Sequence, residues 1–457
     1  AGISLSGTST TTAGSVTAKV TLKDNESGVN VTASKWVYNT NSGNIGTNES
    51  SYNNNFSSNG QTITLKATTA GTYYLHVLTV DNAGNKKETI SSAVTVEKAL
   101  VADGSYNDEK GVNTPNIGSG MTPIKWNGSS WVETTGSDKD WYDYTAKKWA
   151  NAKTSDGSMW VWIPRYAYNI TSGYHSNTVG NIEIEFMKGL TDETSTGRTS
   201  FQNASGQGNW NIHPAFNYGQ TVSGLWVAKF EASNSGGKIK VEPGVSSWRY
   251  NHIGSMYTNC INYNSVLNSH MMKNDEWGAV AYLSKSKYGK NAEVTINGNS
   301  SYYTGGGSGN AYITNVGQST TGTVYGVYDM NGGTKEYVAA YVNNGDKALN
   351  QYGQSLVNGD NKTKNVYEIG TPDGEYENYI ANSRKYGDAV YETSANVNDN
   401  NSSWYGDYSS FPCRSWTFFY RGGNYNHNTS AGMFYFSEIS YGVDTDNVSF
   451  RPVLIAL

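Results

Sequence analysis

Cysteine and proline are scarce in this chain of 457 residues, which holds two cysteines and eight prolines. Cys260 and Cys413 are too far apart for a local metal or redox motif, and one long-range disulfide stays open to them. Charge is also thin: Asp, Glu, Lys and Arg make up 16% of the chain, with a net charge of −5, below the usual quarter. That balance excludes a basic surface for nucleic-acid phosphates. No apolar run approaches about 18 residues, which excludes a membrane-spanning helix. The six histidines form no His-x-His or His-Glu-x-x-His pair, so zinc chemistry has no local signature. A Gly-x-Ser-x-Gly elbow, a P-loop and a dinucleotide fingerprint are likewise missing, since Gly305-Gly306-Gly307 lacks the Lys-Ser/Thr that must follow. The opening AGISLSGTSTTT has neither a basic n-region nor an apolar h-region, so an export signal has been removed or never existed.

Asparagine, glycine and aromatic rings fill the chain instead: 53 Asn, 51 Gly, 35 Tyr, 13 Trp and 11 Phe. Such a surface is polar without being charged. The rings supply buried area that a 36% hydrophobic content lacks, at roughly 150–250 Å² each. By composition the chain is similar to secreted or virion-surface proteins.

From residue 1 to 98, short strand patterns alternate with turn clusters, as in a β-sandwich. Strands are expected at Ser15–Leu22, Ala33–Tyr38, Gln61–Leu65, Gly71–Val80 and Ala93–Glu97. In GTYYLHVLTV (71–80), Tyr74, His76, Leu78 and Val80 fall on one face and Tyr73, Leu75, Val77 and Thr79 on the other, the period of two of a pleated strand. The clusters at Asp24–Gly28 and Asp81–Asn85 read as hydrogen-bonded Asx turns in preference to calcium loops. A Gly/Asn/Pro-bearing connector, Ala102–Ser119, separates this domain from a second at 99–457.

In the second domain, Asn127-Gly128 between Trp126 and Trp131 signals a hairpin. Trp141, Tyr142, Tyr144 and Trp149 read as core. One helix is convincing, His270–Ser286, with Asn274 as its cap and one face packed. Glu183 and Glu185 share a strand face and read as solvated, not as a catalytic pair.

The segment 1–98 resembles the bacterial immunoglobulin-like modules of surface proteins, chiefly through GTYYLHVLTVDNAGN, which implies a spacer. Four blocks further on resemble the formylglycine-generating, sulfatase-modifying family, whose fold is a variant of the C-type lectin-like domain. MWVWIP (159–164) is similar to its opening strand. GLWVAKFE (224–231) and the helix MKNDEWGAVAY (272–282) follow in order. YGVYDMNGGTKEYV (325–338) is similar to the family's Tyr-Gly-Leu-Tyr-Asp-Met-x-Gly-Asn-Val-x-Glu-Trp block. RGGNY (421–425) and NVSFR (447–451) are similar to Arg-Gly-Gly-Ser-Trp and the terminal Asn-x-Gly-Phe-Arg. The likeness is strongest over 155–457. The implied fold class is mainly β with an α+β head, an Ig-like sandwich followed by a C-type lectin-like domain.

The oxidising members of the family need a cysteine pair after the Arg-Gly-Gly block. The equivalent stretch 424–436 has none, so the resemblance implies recognition without catalysis. Arg421, Gly422, Gly423 and Arg451 are expected to be structural. The family places a cation near the 325–338 block, which makes Glu336 a calcium candidate although Gly333 stands where the motif has Asn. The stretch 420–447 is dense in Tyr, Asn, Ser and Asp, the chemistry that paratopes use, and is similar to the variable region of lectin-fold proteins diversified by retroelements. The candidate ligand contacts are Asn424, Tyr425, Asn426, His427, Tyr435, Phe436, Glu438, Tyr441, Asp444 and Asp446. The expected partner is a cell-surface protein or glycan, in a bacterial adhesin or phage receptor-binding protein. The alternative is a structural subunit of an extracellular filament or tail assembly, which associates with copies of itself.

Overall fold

The computed structural model describes residues 1–12, 14–97, 102–397, 401–414, 416–438 and 441–457. The chain is mainly β and divides into two compact units, Ala1–Leu100 and Val101–Leu457. The boundary expected at residue 98 lies within 98–101, outside the described residues.

In the first unit, strands stand at Val16–Thr21, Lys35–Asn39, Thr62–Leu65, Gly71–Val80 and Val94–Glu97. Gly2–Ser6, Val16–Thr21 and Thr62–Leu65 form one antiparallel sheet. Gly71–Val80 anchors the other, paired with Lys35–Asn39, Lys86–Ile90 and Val94–Glu97. Its alternation buries Leu75 and Val77 with Val20, Ile63 and Leu65, and Leu78 and Val80 with Val37 and Tyr52. The second face is covered because the segment leading to Tyr52 packs over it. His76 completes that face, with Nδ1 2.7 Å from Glu88 Oε1 and Nε2 2.9 Å from the Asn41 carbonyl. The Asp24 carboxylate accepts the Ser27 and Gly28 N–H groups at 2.8 and 2.6 Å, and Asp81 accepts those of Ala83 and Asn85 at 2.9 and 2.8 Å. Both acids are thereby engaged in their own turns.

The second unit holds a seven-stranded sheet in the order Trp131–Glu133, Met121–Trp126, Asn151–Thr154, Met159–Pro164, Gly224–Ala228, Pro452–Leu454, His270–Met271. The Asn127-Gly128 hairpin forms with Trp126 opposite Trp131. Trp141, Tyr142, Tyr144 and Trp149 are buried, as expected of core. A second sheet joins Asn365–Tyr367, Lys335–Val342, Phe418–Gly422 and Gly432–Ser437, and Val448–Phe450 lies parallel to the start of Lys335–Val342.

Two longer helices accompany these sheets, α1 (Ile253–Tyr263) and α2 (Asn274–Lys285). The sequence gives α1 no strong signal, because its polar residues and Gly254 are poor helix formers, although Ile253, Met256, Tyr257 and Cys260 keep helical spacing and are buried. Every residue of α2 is buried, so the one-faced packing expected there is corrected. Lys273, not Asn274, is its N-cap, and the Glu276 carboxylate reaches back to accept the Lys273 N–H at 2.9 Å. Trp277 Nε1 donates to the Met433 carbonyl at 2.8 Å and Tyr166 donates to Ala279 at 2.7 Å, which ties α2 to strands on two sides. No helix among the described residues is long and apolar enough to cross a membrane. Cys260 and Cys413 are both buried and no disulfide joins them, so the long-range disulfide does not form.

Candidate functional site

The C-terminal segment is held by two buried arginines. Arg451 donates to Glu336 through Nε at 3.1 Å and Nη2 at 2.6 Å, and to the Ala228 and Tyr328 carbonyls at 2.8 and 2.9 Å. It therefore joins both sheets through one guanidinium, whose planar fork suits several acceptors at once. Glu336, the calcium candidate, engages both oxygens in this pair. No group of three His, Cys, Asp or Glu side chains that could hold a metal occurs among the described residues. Arg421 donates to the Ala389 carbonyl at 3.0 Å and that of Asp388 at 3.3 Å, and burial pulls its pKa down to about 10. Gly422 and Gly423 follow with φ of 82° and 68°. A Cβ at Gly423 would stand 2.8 Å from Ala431, so both conformation and space call for glycine.

Beyond these glycines the ten candidate contacts separate into interior and surface. Asn424, Tyr435, Phe436 and Glu438 are interior, at 4%, 1%, 0% and 3% exposure, and this corrects their assignment as ligand contacts. The reason is local: every residue of the strand Gly432–Ser437 is buried. Trp404 packs on Phe434 with ring centroids 5.1 Å apart, and Tyr408 stacks on Tyr435 at 5.7 Å. Glu438 accepts a short hydrogen bond from the Ser410 hydroxyl. His427 is half-buried beside Tyr435, and burial, with Lys335 adding to it, lowers its pKa to about 4. Asn426 is exposed.

Tyr425, Tyr441, Asp444 and Asp446 do reach the surface, where residues that sequence reasoning missed join them. Trp416 and Tyr441, 40% and 44% exposed, meet edge to face at 6.4 Å. The Gly442 carbonyl accepts the Ile253 N–H at 3.1 Å, which lays the segment 441–447 along the start of α1. Asp444 Oδ1 lies 3.6 Å from His252 Nδ1, and His252 in turn packs on Tyr352 at 5.2 Å. Arg249 Nη1 donates to the Asp446 carbonyl at 2.6 Å. Its guanidinium sits 4.2 Å from the Tyr302 ring and 5.4 Å from that of Tyr250, itself 64% exposed. Tyr302 then meets Tyr425 edge to face at 5.1 Å.

These contacts form one continuous ridge from Trp416 to Tyr425. Exposed Trp, Tyr and Arg are the residue types that dominate binding energy at interfaces, and each touches a neighbouring ring, guanidinium or backbone carbonyl here. The run Trp248-Arg249-Tyr250 was the local signal for the missing half. Its meeting with 416 and 441 depends on long-range packing that no local pattern encodes. Glu185, read as solvated, accepts Arg198 at 3.0 Å, while Glu183 is exposed.

No protein-family model matches the chain, and no curated protein matches it. Among solved structures it is similar to the alpha-L-rhamnosidase from Dictyoglumus thermophilum, at 8% identity and a TM-score of 0.16. That match covers 54% of this chain and 29% of the rhamnosidase.

Proposed function

We propose that the protein is a non-enzymatic extracellular recognition protein, an adhesin or receptor-binding protein of a bacterial surface or phage virion. In this reading the first unit is an Ig-like spacer. The second is a C-type lectin-like head of the formylglycine-generating subtype, which turns its ridge toward a cell-surface protein or glycan. The observation that carries the reading is the ridge itself: Trp416, Tyr441, Tyr250, Arg249, Tyr302 and Tyr425 line up on the surface of a chain with little charge elsewhere. Rigid aromatic side chains give contact area at low entropic cost. Any retroelement diversification would act through Tyr425, Asn426, Tyr441, Asp444 and Asp446, since substitutions at the interior positions would disturb the core.

The test is binding of the fluorescently labelled chain to intact bacteria by flow cytometry, with the triple variant Trp416→Ala, Tyr441→Ala, Tyr250→Ala alongside. Loss of cell binding with an unchanged melting temperature supports the ridge, and equal binding by both proteins overturns it. If no cell retains the chain and sedimentation finds large self-assemblies, the structural-subunit reading takes its place.

A further inference from the structure

Where the ridge passes Arg249 and Tyr250 it borders a hollow of about 390 Å³, lined also by Asn234, Glu242, Val245 and Trp248. That volume falls within the range of small-molecule sites, about 300–1,000 Å³. Backbone hydrogen bonds fix its walls: the Trp248, Ser247 and Tyr250 N–H groups donate to the Ala232, Tyr302 and Thr445 carbonyls at 2.7, 3.0 and 3.0 Å. Tyr250 holds a φ of 60°, a left-handed conformation that a bulky side chain seldom adopts and that its surroundings must impose. The Trp248 indole backs onto Phe450, with ring centroids 5.8 Å apart, and stays half-buried.

Two polar groups of the hollow are uncommitted. The half-buried Glu242 accepts the Thr304 hydroxyl at 2.8 Å through its backbone carbonyl, while its carboxylate makes no hydrogen bond or ion pair with the described residues. The exposed Asn234 accepts the Gly237 N–H at 2.7 Å through Oδ1, which leaves its amide N–H groups to donate. Arg249, by contrast, is spent on the Asp446 carbonyl at 2.6 Å, the Ser246 hydroxyl at 3.4 Å and the rings of Tyr302 and Tyr250. The hollow thus sets a two-oxygen acceptor and a donor beside two aromatic rings. An anionic ligand meets Glu242 and a cationic one meets Arg249, so neither sign of charge is favoured. An apolar side chain of a protein partner would strip water from Glu242 and Asn234 without replacing it, and Val245 is the one aliphatic residue among the described lining. A ligand that matches carries several neutral hydroxyls on one frame with an apolar face.

We propose that this hollow binds a neutral pyranose unit of a surface glycan. Glu242 accepts two adjacent ring hydroxyls through its two oxygens, Asn234 donates to another oxygen, and Trp248 and Tyr250 cover the C–H face of the sugar. The proposal rests on the recognition role above and narrows its ligand from protein or glycan to a neutral glycan.

Binding of the full chain to a microarray of neutral oligosaccharides, followed by isothermal titration with the best retained one, tests it, with glucuronate and choline as charged controls. At least one neutral glycan should be retained. Glu242→Gln should weaken its binding about tenfold or more, the order of a lost hydrogen bond to a charged group. Asn234→Asp keeps the acceptor for Gly237 and removes the donor, so it should weaken binding as well, with the melting temperature of both variants unchanged. Retention of no neutral glycan, equal or tighter binding of glucuronate or choline, or unchanged affinity in Glu242→Gln would overturn the proposal. Assays on bacteria separate the two readings. Cell binding lost in the Trp416→Ala, Tyr441→Ala double variant but kept in Glu242→Gln leaves the ridge standing and overturns the hollow. Glu242-dependent glycan binding by a chain that no cell retains leaves the hollow standing and overturns the ridge.

Discussion

Truncating Phe436 to alanine should cost about 3–5 kcal/mol of unfolding free energy, the range for a large aromatic removed from a packed core. The side chain is 0% exposed, in a strand with no solvent face, and the Arg421 guanidinium lies 5.9 Å from its ring. The cavity would therefore open beside a buried cation whose Nε already lacks an acceptor, which favours the upper part of that range. The same truncation at Tyr441, 44% exposed against Trp416, should stay within about 0.5 kcal/mol. Urea unfolding followed by tryptophan fluorescence separates the two, because twelve of the thirteen tryptophans lie beyond residue 100 and report on the second unit. With a slope of about 3 kcal/mol/M, Phe436→Ala should lower the midpoint by about 1 M or more, and Tyr441→Ala by about 0.2 M or less. A Phe436→Ala midpoint no lower than that of Tyr441→Ala would refute the assignment of this strand to the interior.

Other perturbations probe the charges beneath the surface. Glu392 is wholly buried, and that burial raises its pKa from the ordinary 4.5 to about 7 despite hydrogen bonds from Tyr168, Tyr282 and the Gly387 N–H. The folded state therefore binds this proton more tightly than the unfolded chain. The resulting penalty is fully present above about pH 7 and is relieved as pH falls toward 4.5. At pH 8 Glu392→Gln should be less destabilised relative to wild type than at pH 5, by up to about 3 kcal/mol, and identical differences at the two pH values would contradict the assignment. Arg451→Met strands Glu336 in the core and should cost about 3–5 kcal/mol, with part of the loss recovered when Glu336→Gln is added; a single variant as stable as wild type would show the pair to be dispensable. Finally, Ellman's reagent should react slowly with the native chain and then with two thiols per chain in denaturant, whereas no thiol in denaturant would indicate a disulfide.

Local patterns carried the local structure. Gly71–Val80, the Asn127-Gly128 hairpin and the helix near residue 274 were all legible, since a period of two, a turn dipeptide and an acidic first turn each act over a few residues. The capping role given to Asn274 was off by one position, because Glu276 answers the backbone of Lys273 instead. The parallel pairing of Lys335–Tyr337 with Val448–Phe450 joins segments more than a hundred residues apart and leaves no periodic trace. The same limit explains the divided candidate site. Composition alone marks 420–447 as paratope-like, but it cannot say that Tyr435 and Phe436 are covered on both sides while Tyr441 lies beside Trp416. Nor could it bring Arg249 and Tyr250 to the same ridge. Glu336 and Arg451 were both singled out in sequence, yet their direct pairing shows only in three dimensions.

Hydroxyl-radical footprinting of the chain, free and bound to the bacteria that retain it, tests the central claim most directly. Protection confined to Trp416, Tyr441, Tyr250, Tyr302 and Tyr425, with Tyr435 and Phe436 unreactive in both states, is the expected result. Protection elsewhere with the ridge left reactive, or strong labelling of Tyr435 and Phe436 in the free chain, would contradict it.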